Sequence, residues 1–259
     1  MSAEAGPAAR RVLVTGAGRG IGRATTMRLA AGGARVLGVS RTAAELETLA
    51  DDAGVEVLSA SLADGAGCRA VAAEAIERLG GVDVLVHAAG VDTHREKPIW
   101  LQDETVWRET MAVNADAAFE LARLLTGPMT ERGWGRVVFV SSTAGLTGGP
   151  ACSAYVAAKH AVIGIVRAAA IDTAPFGVTV NAVVPGWVRG TGMSDRTIEL
   201  TSEREGITAA EAWRRIEATT PAGRVATPVD VAAMVAFLVS DDAAAITGEA
   251  VRVAYGSVW

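Results

Sequence analysis

Lysine is almost missing from this 259-residue chain. Lys97 and Lys159 stand against 22 arginines, so each marks a position where the prevailing cation was not used. Cysteine is scarce as well, and Cys68 and Cys152 are too few for a disulfide framework. The N-terminal "MSAEAGPAARR" lacks the apolar stretch of a secretion signal. Apolar runs are broken by Gly, Arg or Lys within about a dozen residues, short of the roughly 20 that cross a bilayer. There is no basic excess: a net charge of −5 and a pI near 5.3 give no field to hold nucleic acid or an anionic membrane. No linker, repeat or low-complexity segment divides the chain. The expectation is one cytoplasmic domain over 1–259, with no nucleic-acid partner, no membrane partner and no metal site.

Half of the residues are hydrophobic, enough for a large core. Short β-branched runs alternate with longer segments of helical period, the pattern of βαβ units around a parallel sheet buried on both faces. Strands are expected at 11–15, 34–40, 56–61, 82–88, 136–142, 178–184 and 250–254, and helices at 20–32, 42–53, 64–80, 104–131, 152–174 and 228–240. The last helix begins at "TPVD", with Thr227 as N-cap and Pro228 in the first turn. The rhythm breaks over 186–226, a long connection rich in Gly, Thr and Arg, and such lengths usually belong to functional lids.

"VLVTGAGRGIGRA" (12–24) sets Gly16, Gly18, Gly20 and Gly22 between the first strand and the first helix, with Arg19 and Ile21 among them. Glycine there permits a tight turn, close approach of backbone to a pyrophosphate and packing of helix on sheet, while helix N–H groups face the anion. A merely tight turn is the plain alternative. After the second strand an acidic residue would accept from ribose hydroxyls and favour NAD; the chain has Ser40 and Arg41 instead. Arg41 and Arg19 suit a 2′-phosphate, so NADP(H) is the preferred cofactor and NAD(H) the alternative. As solvated surface charges the two arginines would say nothing of the cofactor.

Tyr155 and Lys159 lie four apart in "SAYVAAKHAV" (153–162) and share one helix face. A phenol, with a pKa near 10, exchanges protons poorly at neutral pH unless a fixed cation stabilises the phenolate. An ammonium does that and can pass on a proton, which a guanidinium cannot. A core tyrosine beside a snorkelling lysine is the reading that remains if the pair stands alone.

The pair does not stand alone. In this order and over nearly the whole chain, "TGAGRGIG" (15–22), Asn114 in "MAVNADAAF", "VSSTAG" (140–145), "YVAAK" (155–159) and "PGWV" (185–188) closely resemble the short-chain dehydrogenase/reductase family. The resemblance implies an α/β fold, a single Rossmann-type domain with a doubly wound seven-stranded parallel sheet and helices on both faces, usually a homotetramer. It implies that Ser142 hydrogen-bonds a substrate carbonyl, that Tyr155 exchanges the proton, that Lys159 holds the nicotinamide ribose and lowers the tyrosine pKa, and that Asn114 holds a relay water through its backbone. Ala88, Ala89, Gly90, Pro185, Gly186 and Val188 would lie along the cofactor. Three departures are plain: "HAAG" (87–90) for the usual double asparagine before Ala-Gly, read with Ala89 in place of the second asparagine; Ser61 where aspartate often meets the adenine; and "VAYGSVW" at the C-terminus.

The substrate wall is expected from His94, Trp100, Ala144, Leu146, Cys152, Trp187, Met193 and Trp213, mostly apolar and better suited to a ring or acyl chain than to a free sugar. The lid wording is similar to hydroxybutyrate dehydrogenases and aromatic-polyketide ketoreductases. His94, Ala144 and Cys152 replace the polar cluster that grips a carboxylate in the former, and only Trp187 agrees. The function implied is an NADP(H)-dependent oxidoreductase interconverting a small-molecule ketone and a secondary alcohol. A 3-oxoacyl carrier-protein reductase or hydroxy-acid dehydrogenase is the enzyme alternative, and a non-catalytic dinucleotide-sensing protein the alternative of another class.

Overall fold

The structure, a computed structural model, describes residues 9–92 and 97–257. Seven strands form one all-parallel sheet: β1 (Arg11–Thr15), β2 (Arg35–Ser40), β3 (Glu56–Ser59), β4 (Val84–His87), β5 (Gly135–Val140), β6 (Val178–Pro185) and β7 (Ala250–Val253), in the order β3-β2-β1-β4-β5-β6-β7. The order reverses direction between β1 and β4. At that point the connections leave to opposite sides and the strand ends open a crevice, the usual ligand site of such sheets.

Successive side chains of a strand point to opposite faces, and both faces are covered, so the centres of the inner strands are mostly apolar. Leu13, Leu37, Leu85 and Phe139 face one layer, made by α3 (Gly65–Leu79), α5 (Ala117–Glu131) and α6 (Ser153–Thr173). Val12, Val14, Val84 and Val138 face the other, made by α1 (Gly20–Ala31), α2 (Ala43–Ala53) and α9 (Pro228–Leu238). The start of α9 follows the sequence expectation: Thr227 and Asp230 form a reciprocal capping box with Pro228 in the first turn.

The expected helix 104–131 is interrupted. It runs as α4 (Glu104–Met111), a π turn (Ala112–Asp116) and α5. Asn114 Nδ2 donates to the Thr110 carbonyl at 2.9 Å, competing with the ordinary helical hydrogen bond, and a widened turn accommodates it. The expected lid contains two further helices, α7 (Gly192–Glu205) and α8 (Ala209–Thr219), capped by the Thr191 and Thr208 hydroxyls. They share a small core of their own around Ile198, Ala212 and Trp213.

By length and composition alone, Ser153–Phe176 would suit a membrane span, contrary to the expectation from run lengths. In the fold it packs against β6 and α5, with Ala158, Lys159, Val162 and Val166 buried.

Candidate active site

The crevice at the ends of β1 and β4 is floored by the glycine loop. Gly16 (φ 68°) and Gly20 (φ 55°) take left-handed backbone that disfavours side chains. A Cβ on Gly16 would sit 2.7 Å from the Ala89 nitrogen, and one on Gly22 would collide with the Gly16 carbonyl. Among the described residues no side chain caps the start of α1, where Arg19 is the N-cap, and no acidic residue occupies its first turn. Its N–H groups and positive dipole end are therefore free for an anion. These features fit a dinucleotide pyrophosphate. Gly22→Ala is expected to cost about 2–3 kcal/mol of stability and to weaken dinucleotide binding at least tenfold, checked by denaturant unfolding and by fluorescence titration with NADPH.

Every residue expected to touch the cofactor lines this one crevice: Gly16, Gly18, Arg19, Gly20, Ile21, Gly22, Ser40, Arg41, Ala88, Ala89, Gly90, Tyr155, Lys159, Pro185, Gly186 and Val188. Sequence reasoning missed Glu45, which lies 3.9 Å from Arg19, and Thr191 and Gly192 at the start of α7, which close over the glycine loop. The "T-x-x-S" cap at Thr191 was the signal for that helix. "HAAG" also needs rereading: Ala89 and Gly90 are themselves the Ala-Gly pair, so His87 and Ala88, not Ala89, occupy the asparagine positions.

Ser142 stands just past β5 and Tyr155 in the first turn of α6, and the serine hydroxyl hydrogen-bonds the phenol. Lys159, one turn on, is 4% exposed; its Nζ donates to the Val140 carbonyl at 3.1 Å and lies 5.5 Å from the Tyr155 ring centre. Asn114 is fully buried beneath the crevice and does not line it. Its Nδ2 also donates to the Val91 carbonyl at 2.8 Å, tying the loop after β4 to the π turn.

The electrostatics correct the sequence argument. The phenol is not acidified: burial pushes it up to about 12, the Ser142 hydrogen bond opposes this, and the charges of Asp92 and Cys152 add to it. Burial brings Lys159 down to about 8. The site thus holds a neutral phenol, a proton donor, beside an ammonium that loses its charge near physiological pH.

The substrate-wall residues separate. Met193 lines the dinucleotide crevice. Trp187 instead lines a neighbouring open cavity of about 1040 Å³ between α7, α8 and Lys97. Ala144 donates its backbone N–H to Ser142 Oγ at 3.2 Å, and Cys152 is the N-cap of α6; neither lines these two cavities. His94 lies outside the described residues. Trp100 is 79% exposed, so it is no wall residue here. Trp213 is the core anchor of α8, edge-on to Trp187 at 6.3 Å. Of the lid arginines, Arg189 is paired with Glu217 and Arg196 with Glu199.

Comparison with known proteins agrees with this geometry. The family model described as short chain dehydrogenase matches residues 10–200. The chain is 38% identical over 257 residues to a Streptomyces coelicolor protein named "Putative ketoacyl reductase", covering 94% of this chain and 95% of that one. It is 34% identical to the 3-oxoacyl-[acyl-carrier-protein] reductase FabG of Vibrio cholerae, covering 93% and 94%. Among solved structures, a variant of the actinorhodin polyketide ketoreductase with NADPH superposes with a TM-score of 0.89 at 36% identity, covering 96% and 97%. With a model match over most of its length and relatives this similar, the chain belongs to the short-chain dehydrogenase family, oxidoreductases that bind a nicotinamide dinucleotide and act on alcohol and ketone groups.

Proposed function

We propose that this chain is an NADP(H)-dependent ketoreductase for an apolar cyclic or acyl ketone, acting as a single domain over 1–259 with 186–226 as its substrate lid. One observation carries the reading: a neutral Tyr155 phenol, hydrogen-bonded by Ser142 and backed by the buried Lys159, opens into the crevice that the glycine loop floors. A reduced nicotinamide dinucleotide held over Gly16–Gly22 and beside Pro185–Val188 would supply the hydride for the carbonyl carbon. Ser142 donates to the carbonyl oxygen and holds it beside the phenol. Tyr155 then delivers its proton to that oxygen, and its high pKa keeps the proton available throughout the working range. Lys159 would hold the ribose side of the cofactor and offset negative charge on the tyrosine oxygen. Asn114 fixes the loop after β4 through Val91 and, by its π turn, presents backbone carbonyls for a relay water.

The second cavity, walled by Trp187, Leu200 and Ile216, supports a bulky substrate over a small hydroxy acid. The names of the relatives favour the same class, polyketide or 3-oxoacyl reduction. Arg41 is exposed at the crevice rim, without an ion pair among the described residues, and supports the 2′-phosphate preference; Glu45 near Arg19 keeps NAD(H) as the alternative. Arg41→Asp is expected to raise the NADPH KM about 10- to 100-fold and the NADH KM less than threefold; equal losses would exclude Arg41 as a phosphate contact. Exposed Phe119, Ile171 and Phe176 on α5, α6 and the turn after α6 support assembly with other copies as a homotetramer, which light scattering tests.

The deciding assay follows NADPH oxidation with cyclic ketones, 3-oxoacyl thioesters and short oxo acids. Turnover of the first two classes over the third supports the reading. Dinucleotide binding with no turnover would leave a sensing protein.

A further inference from the structure

Behind the proposed proton donor sits a titratable group that this mechanism does not use. His87 ends β4 with 2% of its surface exposed, its ring edge-on to Phe139 at 6.1 Å and 67°. Nδ1 lies 2.9 Å from Thr15 Oγ1 at the end of β1. That hydroxyl also accepts the Ala89 N–H at 3.3 Å, and the Thr15 carbonyl accepts the Ala88 N–H at 3.2 Å. Thr15 thereby carries the cofactor floor, and His87 carries Thr15.

Proton accounting assigns the tautomer. Among the described residues Nδ1 is the one acceptor for the Thr15 hydroxyl proton, so Nδ1 accepts and Nε2 bears the hydrogen. Among the described residues Nε2 is buried without a partner of good geometry, and the Val113 backbone in the π turn is a polar neighbour of the ring. The next residue of that turn, Asn114, also buries an unpartnered atom, Oδ1. Gly90 ties these groups to the site: a Cβ there would lie 2.8 Å from Asn114 Oδ1 and 3.3 Å from Lys159 Nζ. Burial, and then the charge of Lys159, bring His87 down to about 3, so its imidazole stays neutral.

We infer that His87 is a positioning residue, an imidazole strut between Thr15 and the π turn that fixes the floor at Ala88–Gly90 and the placement of Asn114 and Lys159 around Tyr155. The inference rests on the proposed ketone reduction for its kinetic consequence.

Two substitutions and one spectrum test it. His87→Leu fills the space without polar atoms and is expected to lower kcat about 10- to 100-fold while the ketone KM moves less than threefold. His87→Asn can accept from Thr15 and donate on its other side, and should recover kcat to within about fivefold of the parent. The ¹⁵N NMR spectrum of the unaltered protein, which needs no variant to fold, should show His87 neutral and protonated on Nε2 from about pH 5 to about pH 8. An unchanged kcat in the Leu variant, an Asn variant no better than Leu, or a His87 that titrates or carries its proton on Nδ1 would overturn the strut. Should the parent protein reduce no ketone, the proposed function falls, and the spectrum still decides on His87.

Discussion

Tyr155→Phe is expected to lower kcat/KM for ketone reduction by about 10²- to 10⁴-fold while NADPH binds within about threefold of the parent protein. The substitution removes one oxygen from a half-buried side chain, so the cavity keeps its shape. What is lost is the neutral acid that Ser142 addresses. The burial that holds the phenol at about 12 suits the direction of reduction, because the donor stays protonated at every working pH. Oxidation of an alcohol asks the same group to accept a proton, and for that it needs positive charge close by. Steady-state rates and a fluorescence titration on the same preparation check the result; residual activity within tenfold would mean that another group or bulk water supplies the proton.

Lys159→Met should separate function from stability. Activity is expected to fall about 10²- to 10³-fold, because a buried cation beside the phenol is replaced by a thioether of similar length. Stability should rise. Burial brings the ammonium from 10.5 to about 8, which corresponds to about 3 kcal/mol of unfavourable free energy for keeping it charged in the folded state. The sign follows from the depressed folded value. Below about pH 8 the lysine is charged in both states and the cost is present in full; between about 8 and 10.5 the folded form releases its proton and the cost fades. The parent protein should therefore gain stability as pH rises through that window, and the advantage of the Met variant should be largest below it. Loss of the hydrogen bond to Val140 offsets about 1 kcal/mol, leaving a net gain of about 2 kcal/mol near neutral pH. The reduction rate of the parent should also decline as pH rises through about 8, a limb absent from the Met variant. Urea unfolding at several pH values and a pH–rate profile read both effects, and a destabilised Met variant at neutral pH would contradict them.

The glycine loop and the Tyr155–Lys159 pair were legible because their chemistry is local: a loop between a strand and a helix, and two side chains one helical turn apart. The sheet was legible because strands buried on both faces are built around apolar runs, as at Val84–Val86 and Val137–Val140. Strand ends differ by one or two residues, where pairing with a neighbour rather than residue type decides the limit. The first lid helix, α7, was less visible. In α7 only Ser194 and Ile198 are buried, so no apolar stripe marks it, and only its threonine cap betrays it. The π turn depends on where Asn114 sends its amide, and the pairing of Arg189 on where α8 brings Glu217; neither is written in spacing. His87 was passed over because Ala89 was read as the missing asparagine, and its bond to Thr15 spans 72 positions and appears only when β4 lies beside β1.

The most direct measurement of proton delivery by Tyr155 is a single turnover: enzyme in excess is loaded with NADPH, mixed with a cyclic ketone, and followed by nicotinamide absorbance for the parent and for Tyr155→Phe. Expected is a rapid decay in the parent and, in the variant, full NADPH binding with a decay at least about 10²-fold slower. A variant that binds NADPH and oxidises it at the parental rate would show that the proton comes from elsewhere.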